Sequence, residues 1–146
     1  MNKLIQDMRR NQAFTLVELM IVVTIVAILA LIAIPLYSAN VTAAIMSEGV
    51  AGAGTTRTAL RVYQSQNGSY AGATLPSGGM GGTLLIGSTD LQGKYFAQTD
   101  YSLASVSAST YKIKAGPPSQ TTKVPSTTYY QINQLGSEQG TYYTNQ

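Results

Sequence analysis

Hydrophobic and polar positions along the chain fall into three regimes. Residues 14–36 are apolar apart from Thr15, Glu18, Thr24 and Pro35. A helix of that length, rising about 1.5 Å per residue, reaches roughly 35 Å, enough to cross a hydrocarbon core of about 30 Å. Val17, Ile21, Val22, Ile25, Ile28, Leu29 and Ile32 leave no polar face, so the helix is apolar all round and needs lipid or other helices about it. From Ser38 the pattern changes to small and polar residues, with Val41, Ala44, Ile45, Ala59, Leu60 and Tyr63 at helical spacing. This predicts a helix continuing to about Gln66, loosened at Gly49, Gly52 and Gly54 and stopped by "NGS" at 67–69. The stripe is the face that packs under a sheet.

Residues 71–93 are rich in Gly, Ser and Thr and predict a surface connection with a brief extended piece at Thr83 to Ile86. The Gly pairs there lack the Lys-Ser/Thr ending of a phosphate loop. Period-two alternation follows through Leu103 and Val106, then Tyr111, Ile113 and Ala115, with "SAST" between, which predicts an antiparallel hairpin. "TTYYQINQLG" gives a third strand beyond "PPSQTTKVPS", and "TYYTN" a fourth at the end. Pro117, Pro118 and Pro125 bound the hairpin. The expected fold is α+β: a long N-terminal helix whose first half spans a membrane and whose amphipathic second half packs against a small antiparallel sheet of three to four strands. Its segments are 1–13, 14–37 and 38–146, the last comprising a helix at 38–66, a loop at 67–93 and a sheet at 94–146. Alternation along strands accounts for Tyr101, Tyr111 and Tyr130 without a special aromatic function.

Composition narrows the chemistry. The 146 residues include no Cys and no His, which removes disulfides, thiolate nucleophiles, the commonest general base and the commonest transition-metal ligand. The acids Asp7, Glu18, Glu48, Asp90, Asp100 and Glu138 stand singly, so neither a carboxylate pair nor a metal cage is indicated, and no cofactor is expected. The formal charge of +3 is uneven: Lys3, Arg9, Arg10 and Asp7 precede the apolar run, and the remainder carries six basic against five acidic side chains. Basic residues beside a span mark its cytoplasmic side, so the charge reports topology and argues against a nucleic-acid surface. Arg57 and Arg61, one turn apart, suit either a solvated face or pairing between subunits.

Two positions in the apolar run need a reason. A carboxylate within a span is costly unless paired or near the interface, so Glu18 is either a functional group with a partner or an acid snorkelling to headgroups. Pro35 cannot donate to the preceding turn; it either kinks the helix around Leu31 to Ile34 or ends it at the membrane surface. The run is also too long for the apolar stretch of a secretory signal peptide.

The residues "AFTLVELMIVVTIVAILALIAIPLY" resemble the class III signal and N-terminal helix of type IV prepilins and pseudopilins. The resemblance covers about residues 1–40. It implies a leader cut by prepilin peptidase between Ala13 and Phe14, N-methylation of Phe14, and a Glu at the fifth mature position, which is Glu18 here. The residue before the cut is usually Gly in that family and is Ala13 in this chain, the next smallest side chain; Ala27 stands where relatives often carry a helix-loosening Gly. Pro35 falls where many members have a helix-bending proline. The family model pairs Glu18 of one subunit with the Phe14 ammonium of another as the helix leaves the membrane for a homo-oligomeric filament. Implied partners are therefore sister pilin subunits, prepilin peptidase, the inner membrane and a pilus assembly platform. The precursor would lie in a bacterial inner membrane with its N-terminus cytoplasmic, and the assembled form in an extracellular pilus or periplasmic pseudopilus. Such fimbrial filaments serve cell adhesion, motility or protein secretion. The expected function is thus a non-enzymatic filament subunit, with a type II secretion pseudopilin as the alternative. A single-span membrane-anchored enzyme or receptor is the remote third, since no nucleophile signature is present.

Overall fold

In a computed structural model the described residues are 14–76, 82–87 and 89–141. The chain divides into two compact units, Met1–Ser38 and Ala39–Gln146. One α-helix, α1 (Leu16–Asn67), supplies elements to both and stays helical through Pro35. Of the two readings of that proline, the one that ended the helix there does not hold.

In the second unit, α1 presents Ile45, Met46, Gly49, Ala53, Thr56, Ala59 and Leu60 to the interior. Steps of three and four residues keep these on one side of the helix. The glycines predicted to loosen this stretch have a different role. A Cβ added at Gly49 would stand 2.5 Å from Phe96 Cζ, and one at Gly52 would overlap the Tyr101 phenol. Bare backbone at these two positions is what lets both rings lie directly on the helix. Ala44, expected in the buried stripe, is exposed; Met46, next but one along the chain, takes the interior position instead. Buried Thr56 satisfies its hydroxyl by donating to Gly52 O at 3.0 Å. The helix stops at "NGS" as expected: Gly68 adopts a positive φ of 70° and its N–H donates to Gln64 O at 2.7 Å, while Asn67 Nδ2 donates to Tyr63 O.

The sheet has four antiparallel strands in sequence order: β1 (Tyr101–Ala104), β2 (Lys112–Ala115), β3 (Tyr130–Asn133) and β4 (Glu138–Gln139). A three-residue 3₁₀ turn, Gln98–Asp100, leads into β1. Register places Leu103 opposite Ile113, and Ile113 opposite Ile132. Tyr101, Ile113, Ala115, Tyr130 and Ile132 are buried on the face toward α1, as the alternation predicts. "SAST" forms the hairpin turn, with Ser107 and Thr110 joined through backbone and hydroxyl at 2.6–3.1 Å. The turn is tied to the end of the helix by Tyr70 N donating to Ala108 O, and Tyr70 packs edge-on against Tyr111 at 4.8 Å. The fourth strand differs from expectation. It is Glu138–Gln139, closing a tight turn after β3 in which Asn133 Oδ1 accepts from Leu135 N and Ser137 N; residues 142–145 of "TYYTN" lie outside the described residues.

Thr83 to Ile86 forms bends and no strand. Leu84 and Ile86 are buried and Leu85 is exposed, so the in-and-out alternation is present, yet hydroxyl-to-backbone bonds between Thr74 and Thr83 replace a ladder. One long helix with one small antiparallel sheet makes the fold α+β.

Candidate functional site

The N-terminal unit owes its character to what surrounds the helix. Side chains from Leu16 to Tyr37 that are large and apolar are all more than half exposed, and no residue in the most apolar stretch of α1 is buried within the chain. A core helix of a soluble domain would bury one side; this one is bare all round. By length and composition α1 is able to cross a membrane. Its few polar groups are internally satisfied. Thr24 Oγ1 donates to Met20 O at 2.8 Å and Ser38 Oγ to Pro35 O at 2.8 Å. Each hydroxyl therefore enters an apolar environment with its donor already used.

Glu18 is held in the same way. Thr15 Oγ1 accepts from Glu18 N at 3.2 Å, while Glu18 Oε2 accepts from Thr15 N at 3.0 Å and from Thr15 Oγ1 at 2.8 Å. This is a reciprocal capping box, in which Thr15 is the N-cap and Glu18 the third helical residue. The T-x-x-E spacing of "TLVE" is the local sequence signal of this box. The box also places the carboxylate where the aligned N–H groups of the first turn stabilise negative charge. Only one carboxylate oxygen, Oε2, makes these bonds, which leaves Oε1 for a further donor.

Phe14 lies just before the cap and is 79 % exposed. The structure thus gathers Phe14, Thr15 and Glu18 at one helix end; Pro35 stands far along the same helix, and Ala13 lies outside the described residues. At Pro35 the backbone nitrogen has no proton to give the carbonyl of Leu31, so the helical ladder lacks one bond in the turn before it.

A second carboxylate with a defined task is Glu48, which the sequence showed only as a scattered acid. Its Oε1 accepts from Tyr95 N at 3.0 Å and Phe96 N at 2.8 Å, and Tyr101 Oη donates to Glu48 O at 3.4 Å. It pins the segment before β1 to α1. Burial pushes the Tyr101 phenol pKa far up, with Glu48 and then Asp100 adding to the effect. Arg57 reaches Gln134 O at a long 3.5 Å while its Nε is buried without a partner, and Arg61 is exposed. Within the chain, Arg57 braces the turn between β3 and β4, so the solvated-face reading holds for Arg61 and not for Arg57. Asp90 Oδ2 accepts from Gly87 N and Asp100 Oδ2 from Ala97 N, so these acids also serve backbone amides. Among the described residues no cluster of three metal-ligating side chains occurs.

Comparison with known proteins bears on the helix end. The prokaryotic N-terminal methylation motif matches residues 8–34. A fimbrial protein of Neisseria meningitidis serogroup A / serotype 4A is 35% identical over 85 residues, which cover 58% of this chain and 46% of that relative. Together these findings support the type IV pilin family. The matched part is less than half of the relative's length. No solved structure matches the chain. The motif spans the helix start described above, so the matched segment overlaps the bare apolar half of α1 and includes Phe14 and Thr15, just before the helix, and Glu18, in its first turn.

Proposed function

We propose that this chain is the structural subunit of a type IV pilus-like filament, made as a membrane-anchored precursor and assembled through its apolar N-terminal helix. The observation that carries this reading is a helix that buries none of its most apolar stretch and begins in a methylation motif. In this reading a prepilin peptidase cuts between Ala13 and Phe14, and Phe14 becomes the methylated N-terminus. The 14–37 segment then exchanges lipid for the corresponding segments of sister subunits, which preserves its apolar contacts.

Glu18 acts at that exchange. Its Oε2 stays in the capping box with Thr15, and its Oε1 accepts from the Phe14 ammonium of a neighbour, so that two charges which would each be costly alone enter the filament as a pair. Pro35 provides a point where the ladder is already short of one bond, and the helix bends there as subunits pack. The precursor sits in the inner membrane with its basic leader in the cytoplasm and is drawn out by an assembly platform.

The test is to shear fibres from cells producing the protein and weigh the subunit intact. A mass lacking residues 1–13 and carrying one added methyl group is expected. Retention of residues 1–13 in assembled fibres would refute the processing step. Subunit recovered only from the periplasm, with no surface fibre, would replace the pilus by a secretion pseudopilus.

A further inference from the structure

The outward face of the sheet carries polar chemistry that filament assembly through the N-terminal helix does not use. Tyr101, Ile113, Ala115 and Tyr130 point into the core, so Ser102, Lys114 and Gln131, one step away on each strand, occupy the opposite face. Register sets Ser102 beside Lys114 and Lys114 beside Gln131. Over the Ser102–Lys114 edge folds the connection between β2 and β3, and the two enclose a cleft of about 650 Å³ lined in part by Asp100, Ser119 and Thr122. That volume lies within the range of small-molecule sites.

Its lining is unusual for this chain. The Lys114 ammonium rests 4.6 Å from the centre of the Tyr129 ring, and no carboxylate among the described residues pairs with it. Asp100 also lines the cleft; its Oδ2 takes three bonds, from Ala97 N, Ser119 N and Ser119 Oγ at 2.8–2.9 Å, and Oδ1 takes none of them. The residues lining the cleft therefore include a lysine with no carboxylate partner among the described residues, an aspartate with one oxygen outside those three bonds, several Ser and Thr side chains, and Pro117, Pro118 and Pro125. A ligand complementary to this set has one negative group, several hydroxyls and a C–H face. A nucleic acid matches less well: Asp100 would repel a phosphate backbone, and no aromatic ring lines the cleft to stack on a base.

We propose that this cleft binds a uronic-acid-bearing saccharide, with the sugar carboxylate on Lys114 and ring hydroxyls on Asp100 Oδ1 and the surrounding Ser and Thr side chains. The site lies wholly in the second unit, so it stands or falls separately from the filament reading.

The test uses the full chain, ¹⁵N-labelled and solubilised in detergent, titrated with a glucuronic-acid disaccharide and, in parallel, with the methyl ester of the same disaccharide. Saturable amide shifts confined to residues 99–126 are expected with the acid. The ester, which has lost the charge, should bind about tenfold more weakly or worse, the value of one charge-assisted hydrogen bond. Lys114→Met should bring the acid down to the level of the ester, whereas Lys112→Met, on the same face outside the cleft, should leave the tenfold difference intact. Equal binding of acid and ester by the unaltered protein would overturn the proposal without recourse to any variant. So would shifts that do not saturate, or tighter binding of an oligonucleotide than of the uronate.

Discussion

Replacing two glycines of α1 by alanine separates packing from helix propensity. In an unconstrained helix, Gly to Ala gains about 1 kcal/mol. Gly54 is exposed and nothing lies within 4 Å of the position its Cβ would take, so Gly54→Ala should show that gain undiminished. At Gly49 the same methyl would stand 2.5 Å from Phe96 Cζ and 2.8 Å from Cε1. Phe96 is fully buried, and its N–H is held by Glu48 from the same helix, so the ring cannot turn aside cheaply. Overpacking of this kind costs about 1–3 kcal/mol, and the more rigid setting argues for the upper part of that range. Set against the propensity gain, Gly49→Ala should lose about 1–2 kcal/mol net. For a unit of this size each kcal/mol moves the midpoint by about 4–8 °C. Thermal unfolding of the detergent-solubilised full chain, followed by near-ultraviolet circular dichroism of the tyrosines, reads both variants. Gly54→Ala should melt a few degrees higher and Gly49→Ala about 5–10 °C lower. If Gly49→Ala melts at or above the unaltered protein, then Phe96 does not seat on that helix face and the packing account of the glycines is wrong.

Three further outcomes follow from the carboxylates and the buried phenol. Glu18→Ala should insert into membranes normally and fail to assemble, and Thr15→Val, which keeps the charge but removes the two hydroxyl bonds of the box, should assemble poorly; fibre yield after shearing measures both, and full yield from Glu18→Ala would remove its pairing role. Glu48→Ala strips two backbone N–H groups of their acceptor and should cost about 2 kcal/mol, whereas Glu48→Gln, retaining one acceptor oxygen, should cost roughly half as much; identical denaturant midpoints for the two would contradict the clamp. Because the folded state raises the Tyr101 pKa above its ordinary value of 10.0, its contribution is intact below pH 10 and is lost as the solution becomes more alkaline. Stability should accordingly decline above about pH 10, and decline less steeply in Tyr101→Phe, as denaturant midpoints measured across that range would reveal; parallel profiles would show that the phenol does not matter.

Much of this was legible before any coordinates because it depends on local pattern. An unbroken apolar run, a Gly just past the last helical residue and period-two alternation each act through neighbours three, four or two positions away, and those neighbours are written in the chain. Hence the helix, its end at Asn67, the hairpin and the inward tyrosines were foreseeable. The capping box was equally local, and its T-x-x-E spacing was available to be read. Glu48 was different in kind. Its amide partners lie 47 and 48 residues away, and nothing near Glu48 announces them.

The sequence alone determined that the first half of α1 must find apolar company outside its own fold, since no polar face exists for water to solvate. It also determined that any catalysis would have to proceed without His or Cys. Tertiary structure decided the rest. Glycines that weaken an isolated helix became the surface on which Phe96 and Tyr101 rest, because close approach of a ring rewards the absence of a Cβ. The fourth strand settled on Glu138–Gln139, where the turn held by Asn133 returns the chain to β3. Lone acids acquired tasks once folding brought distant backbone amides within reach. Propensity is a property of neighbours along a chain, whereas packing is a property of neighbours in space, and only the second could assign those roles.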